Sequence, residues 1–386
     1  MKVYIRSSAC VSPQNTFNSV DFLTDIVEST GTRLKAIDPD YKEFIDPKQI
    51  RRMSHVIKMG IAAAKSCLTQ AGIDVPGAII TGTAFGCMAD TVTFLTRIVE
   101  QNEEMLPPTA FIQSTHNTVA AQIALMLKCH NYNSTFVHKG ISFESALFDA
   151  IMLLNEQEAD NILVGGVEEM VDASFTVLTR LGLYKRWPLS NLSLYDTRSN
   201  GTIGGEGAAF FLVTSEESPN NLAQLTGLKL LYNPKSIEEG ITTFLKSHEL
   251  SIEDIDLVIT GKNGDTRNDE VYRELGSSLF KNKPLANYKH LCGEYPTSSS
   301  FALWMVSNII KKGIVPEVVK DGNFGSISPK KVLIYNHYQG KYHSLMLVST
   351  TKAQFLQEFK QSADEVSSAK QGKIKLKSAN QLLNEL

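Results

Sequence analysis

Leu257-Val258-Ile259-Thr260-Gly261 repeats, in the second half of the chain, a string already met as Ala78-Ile79-Ile80-Thr81-Gly82. Both are short apolar runs, rich in β-branched residues and closed by glycine, as expected of a strand buried on both faces. Each follows a helical stretch: Ser54 to Ala71 before the first and Ser236 to His248 before the second. A second pair extends the repeat. Thr135-Phe136-Val137 leads through a turn to a helix from about Phe143 to Leu154, and Leu285 to Lys289 leads through a turn to a helix from Ser298 to Ile310. Strands alternating with helices in both halves predict an α/β fold of mostly parallel sheets with helices on both faces, built by internal duplication.

Outward from these pairs, Val3 to Ile5 reads as a first strand and Asp38 to Arg52 as a polar loop. Ile162-Leu163-Val164-Gly165-Gly166 is a buried strand ending in glycines, and Ala208 to Thr214 is another, entered through Gly204-Gly205-Glu206-Gly207. The halves are expected at residues 1–215 and 216–351. From Lys352 the composition turns to Gln, Lys, Glu, Ser and Ala, so 352–386 is expected to form a surface helix or a partly ordered tail.

At 386 residues the chain is long enough for one large duplicated domain or two fused halves. Hydrophobic residues at 42% and charged residues at 20% are ordinary for a globular protein and exclude collagen-like and disordered classes. A net charge of −3 leaves no global basic field for nucleic acid or an anionic membrane. The five cysteines, Cys10, Cys67, Cys87, Cys129 and Cys292, form no CxxC pair, which argues against both a zinc site and a disulfide framework. No cofactor is expected. Met1 to Pro13 does not read as a signal peptide, and no run of about 18 apolar residues marks a membrane span, so the expected location is the cytoplasm.

Several strings resemble the β-ketoacyl synthases of the thiolase fold. Arg51-Arg52-Met53, Gly165-Gly166-Val167-Glu168-Glu169 and Gly201-Thr202-Ile203-Gly204-Gly205-Glu206-Gly207-Ala208 match that family's RRM, GGxEE and GxxxGEGA patterns in the family's order. Pro108 to Thr118 with Ala121-Gln122-Ile123-Ala124 resembles the segment beside the family's dimer interface, which would place Phe111, Gln113, His116 and Asn117 there. The resemblance runs over roughly residues 1–350 and implies a thiolase-like five-layer αβαβα fold with internally duplicated halves.

The resemblance also implies a cysteine nucleophile at a strand-to-helix corner and two histidines that stabilise the developing oxyanions. Counting back from Gly165-Gly166, the cysteine position falls on Gly140 in Val137-His138-Lys139-Gly140-Ile141-Ser142-Phe143-Glu144. The first histidine, of an HGTxxxxGD pattern, falls on Gly261, with Asp269 as the anchor. The second, of a KxxxGH pattern, falls on Glu294, where Lys289 and Gly293 are retained. Glycine has no side chain to attack a thioester. A carboxylate about 4 Å from a developing oxyanion repels it by roughly 4 kcal/mol at an effective dielectric of about 20, worth about three powers of ten in rate. Lys289 is expected to neutralise Glu294 as a structural ion pair. The family's glycine-rich gating loop reads here Asn336-His337-Tyr338-Gln339-Gly340-Lys341-Tyr342, a bulkier polar loop whose side chains would close the acyl entrance or simply form a strand-end turn. Ser142, Phe143, Thr202, Asn336 and Tyr338 are the expected tunnel and gate residues.

Ser142 near His138 and Cys292 near His290 are the candidates for a relocated nucleophile. His116 and His130 read as interface or surface histidines. The whole pattern resembles the chain-length factors, silent homologues that pair with an active ketosynthase and shape its product tunnel. The strings FIQSTHNT, SFESALFDA and NGDTRND further resemble partners in aryl-polyene or flexirubin-type pathways, whose acyl chains ride on acyl carrier protein. The resemblance therefore implies a ketosynthase partner, or a second copy of this chain, and acyl carrier protein. The alternatives are a stand-alone thiolase-fold acyltransferase with a relocated nucleophile and a purely structural or acyl-binding homodimer.

Overall fold

The computed structural model describes residues 3–357 and 360. The chain opens with β1 (Val3–Val11), a short β2 (Thr30–Gly31), a one-turn α1 (Pro47–Ile50) and the long α2 (His55–Ala71). Then follow β3 (Ala78–Gly82), α3 (Met88–Glu100), α4 (Pro108–Gln113), α5 (Thr118–Leu127) and β4 (Tyr132–Phe136). The first half closes with α6 (Ser142–Asn155), β5 (Asn161–Glu168), α7 (Asp172–Arg180), β6 (Leu189–Ser190) and β7 (Gly207–Thr214). The second half carries β8 (Ala223–Tyr232), α8 (Ile237–Lys246), β9 (Leu257–Thr260), α9 (Glu270–Ser277), β10 (Leu285–Asn287) and α10 (Lys289–Cys292). It ends with α11 (Ser299–Lys312), β11 (Lys320–Asp321), β12 (Lys331–Tyr338) and β13 (Tyr342–Ser349).

Local signals explain the helix ends. Asp46 accepts from Lys48 N at the start of α1, where Pro47 takes the first position, and Ser236 accepts from Glu239 N at the start of α8. α2 stops at Gly72, whose φ of 67° is the left-handed cap that glycine adopts without strain. The stretch 38–52, expected as loop, also holds the short helix α1 because Asp46 and Pro47 supply that cap. Residues 352–357 and 360 are helical; the rest of the expected tail, 358, 359 and 361–386, lies outside the described residues.

The strand pairing repeats between halves. β3 runs parallel between β4 and β5, β5 pairs antiparallel with β7, and β7 with β1. In the second half β9 runs parallel between β10 and β12, β12 pairs antiparallel with β13, and β13 with β8. Even the polar ends correspond: Thr81 bonds Thr135 across β3–β4, and Thr260 bonds Asn287 across β9–β10. A short antiparallel contact of β1 with β8 joins the two sheets.

Alternation along the strands sorts side chains into three cores. Ile79, Leu163 and Phe210 face α2 and α5. Ile80, Val164 and Phe211 from one sheet, with Leu257, Ile259 and Ile334 from the other, enclose α6 and α11. Val258, Leu333 and Leu345 face α8 and α9. The order is therefore helix, sheet, helix, sheet, helix, the five-layer thiolase plan. Each fully buried aliphatic side chain adds roughly 1.5–3 kcal/mol, which is why these short, charge-free runs occupy the sheet centres. Among the described residues no helix is long and apolar enough to cross a membrane, and no group of three His, Cys, Asp or Glu could hold a metal ion.

Candidate functional site

β4 ends at Phe136, and the chain turns through a 3-10 segment, Lys139–Ile141, into α6. Gly140 is buried at this corner, after Lys139 with a left-handed φ of 49°. The space a side chain would need is already taken: a Cβ on Gly140 would overlap the Cβ and Cγ of Tyr338 and stand 2.7 Å from its Cδ1. Gly261, just past β9, is filled the same way. A Cβ there would overlap Asn336 Oδ1 and stand 2.7 Å from Tyr272 Oη.

Both fillers come from one strand end. Asn336 and Tyr338 are two apart on β12 and so share a face, while His337 between them points to the other. His337 Nε2 donates to Asn268 O at 2.8 Å, Nδ1 accepts from Gly340 N at 3.1 Å, and burial lowers its pKa to about 3, so the ring is neutral. Asn336 Oδ1 accepts from Tyr288 Oη at 3.2 Å. Of the two readings of 336–342, an entrance-closing polar loop and a strand-end turn, the structure has a turn at the end of a β-hairpin: Tyr338 pairs with Tyr342, and left-handed Gln339 (φ 54°) and Gly340 (φ 63°) make the turn. β-Pairing, invisible to a motif reading, holds these side chains in place.

Glu294 follows Gly293 (φ 74°) at the end of α10. Its Oε2 accepts from Lys289 Nζ and from Asn263 Nδ2, both at 2.7 Å, and Lys289 is fully buried. Oε1 is buried without a partner. The loop holding Asn263 is pinned by two carboxylates. Asp269 accepts from Asn263 N and Gly264 N, each at 2.8 Å, and burial raises its pKa to about 6; Asp265 accepts from Gly201 N at 2.7 Å and from Arg267. Glu294 thus meets Asn263, two residues beyond Gly261, and lines with Tyr338, Tyr184, Thr202 and Gln339 a cavity of about 20 Å³. That is room for about one water, far below what a thioester arm needs.

The other expected residues are placed as follows. Thr202 lines that cavity and donates to Asn263 O at 2.5 Å. Phe143, expected at the tunnel, is fully buried in the middle core against Phe211. Ser142 Oγ donates to Lys139 O at 2.7 Å and accepts from His138 N at 2.8 Å, so backbone groups, not an imidazole, are its partners. Cys292 is buried, its thiol pKa pushed well up by desolvation, and its Sγ reaches only Gly293 O. His290 is tied to Tyr195 Oη and Val318 O, with its pKa lowered to about 4 by burial. Phe111, His116 and Asn117 are exposed and Gln113 is half-buried, with Phe111 against Phe94 at 5.1 Å.

The glycine-rich motifs carry carboxylates that hold backbone. Glu168 accepts from Ala84 N and Phe85 N, Glu169 from Val56 N and Ala89 N, and Glu206 from Ala36 N and Met170 N. Sequence reasoning did not single out Tyr272, Tyr288 or Glu144, which crowd the same region from separate elements; nothing in their local pattern marks them.

Residues 31–193 match the model of the β-ketoacyl synthase N-terminal domain. Among solved structures, the ishigamide ketosynthase/chain length factor superposes with a TM-score of 0.76 at 18% identity, covering 91% of this chain and 99% of that one. A β-ketoacyl synthase from Burkholderia phymatum STM815 gives 0.75 at 14% identity, covering 91% and 100%. A ketosynthase (ApeO) in complex with its chain length factor (ApeC) from Xenorhabdus doucetiae gives 0.71 at 15% identity, covering 91% and 98%. No curated protein matches the chain. The fold is the thiolase-like fold of ketosynthases, and its structural neighbours include ketosynthase and chain-length-factor assemblies.

Proposed function

We propose that this chain is a non-catalytic, chain-length-factor-type subunit that pairs with an active ketosynthase in the elongation of an acyl chain held on acyl carrier protein. The observation that carries the reading is the filling of the Gly140 corner by Tyr338: the position offers no nucleophile and no room for one. Asn336 against Gly261 and the Lys289–Glu294 pair support it at the two positions assigned to the histidines. An oxyanion forming beside Glu294 would meet a carboxylate where a donor is required.

A partner is supported by the edge of the first sheet. β4 is the last strand there, with one side unpaired. Leu125 on α5, Phe148 and Met152 on α6, and Tyr132 on β4 itself are large apolar side chains left between 43% and 70% exposed. Phe111 and Ile112 of α4, which precedes α5 in the chain, are 56% and 64% exposed. A row of unpaired strand amides flanked by apolar side chains fits a strand and apolar face of a second subunit. The narrower aryl-polyene-type assignment rests on the resemblance of three short strings.

The test is to purify the chain alone and with a co-expressed ketosynthase, and to supply acyl- and malonyl-carrier protein. The reading expects condensation only with the partner present. Condensation by the chain alone, lost on Ser142→Ala or Cys292→Ala, would establish the relocated-nucleophile enzyme instead. Failure to associate with any ketosynthase would leave the homodimer.

A further inference from the structure

Glu144 lies one helical turn beyond the filled corner, on the first turn of α6, and is fully buried. Its Oε1 accepts from Ser344 Oγ of β13 at 2.7 Å, a bond between the two halves of the chain. Its Oε2 has no hydrogen-bond partner, and neither has Ser299 Oγ, fully buried at the first position of α11 and directed at the same carboxyl. The charged and titratable groups facing Glu144 are Lys289 and Tyr288. Lys289 is committed, at 2.7 Å, to Glu294. Two buried carboxyls therefore share one ammonium, and a second buried negative charge would stand uncompensated in the middle layer.

We propose that Glu144 is a neutral carboxylic acid that latches α6 of the first half to β13 and α11 of the second, and that this seam loosens when the acid ionises. In the latch Ser344 Oγ donates to Oε1, and the acid proton on Oε2 is given to Ser299 Oγ. A hydrogen bond between Oε2 and Ser299 Oγ satisfies both orphaned atoms whichever of them donates, and it is the lack of a free countercharge that keeps the proton on the carboxyl. Burial raising the carboxyl's pKa acts in the same direction. Ser344 pairs with Asn336, two residues before Tyr338, so the latch holds α6 to the same hairpin that fills the Gly140 corner.

The sign follows from linkage. The folded state keeps a proton that the unfolded chain releases above the ordinary carboxylate range, so this contribution is full at low pH and declines as pH rises towards the folded pKa. Thermal melts of the full chain and of Glu144→Gln, from pH 6 to pH 9, test it. Gln keeps a neutral donor and acceptor, so wild type should lose about 2 °C or more relative to the variant across that range. A gap that stays constant overturns the proposal. The infrared difference between wild type and Glu144→Gln at pH 7 should show a protonated-carboxyl band, and a carboxylate band overturns it. Should Glu144→Gln not fold, Ser299→Ala serves: a shifted protonated-carboxyl band supports the latch, and a shifted carboxylate band refutes it.

Discussion

Tyr338 stands in the space that a side chain at residue 140 would occupy, so the corner between β4 and α6 is closed by the hairpin of the opposite half. The contact joins the two halves where the ketosynthase resemblance puts a nucleophile. It turns the loss of one side chain into a packing arrangement that a single reversion does not undo.

Gly140→Cys alone should therefore destabilise the fold by roughly 1–3 kcal/mol through overpacking. Tyr338→Gly alone should cost about 3–5 kcal/mol through the cavity left behind. The double variant should cost less than the sum, and urea unfolding of the four proteins measures the coupling. Strict additivity would mean that the two residues do not compete for space.

Removing one member of the buried Lys289–Glu294 pair leaves a charge without its partner. Lys289→Met is expected to cost about 3–5 kcal/mol, whereas Lys289→Met with Glu294→Leu should recover most of that loss. Chemical denaturation decides it. A double variant as unstable as the single one would show that Asn263 and Lys289 hold Glu294 for a reason other than charge balance.

His55 supplies a pH signature. Burial works against its charge, yet hydrogen bonds to Asp38 at 2.6 Å and towards Glu206 raise its pKa to about 9. The unfolded value is near 6.5, so the folded state holds the proton more tightly. This stabilisation is complete below about pH 6.5 and is lost as pH rises through 9, on the order of 1–2 kcal/mol given half-exposed Asp38. Melts of His55→Gln against wild type should converge as pH rises from 6 to 9. Parallel curves would contradict the assignment.

Phe148→Asp or Phe111→Asp should leave the isolated chain folded, since both side chains are about half exposed. Each should weaken association with a ketosynthase partner at least about tenfold, as loss of an apolar anchor does. Sedimentation of the purified pair reads it. Unchanged association in both variants would remove the edge of the first sheet from the interface.

Much of this was legible in the chain itself. β3 and β9 were readable because a buried central strand needs an unbroken apolar run with a stop, and α2 and α6 because their apolar spacing is local. The Lys289–Glu294 pair was readable because its members lie on either side of one short turn. The hairpin pairing of β12 and β13 was not: Asn336 to Tyr342 is polar, and its strand character comes from Asn336, His337 and Tyr338 pairing with Ser344, His343 and Tyr342, which local composition does not encode. Phe143 likewise faces the middle core rather than a tunnel because the sheet beneath α6 supplies Phe211.

By itself the sequence determined the duplicated α/β plan, because residue type and spacing encode it, and it put Gly140, Gly261 and Glu294 at the positions where the ketosynthase resemblance implies a thiol and two imidazoles. Only the tertiary structure decided what stands there instead. Tyr338 meets Gly140, Asn336 meets Gly261 and Ser344 meets Glu144 through the order of strands in two sheets and the face each side chain takes. Such contacts between distant parts of the chain arise from packing, and no local pattern of residues specifies them.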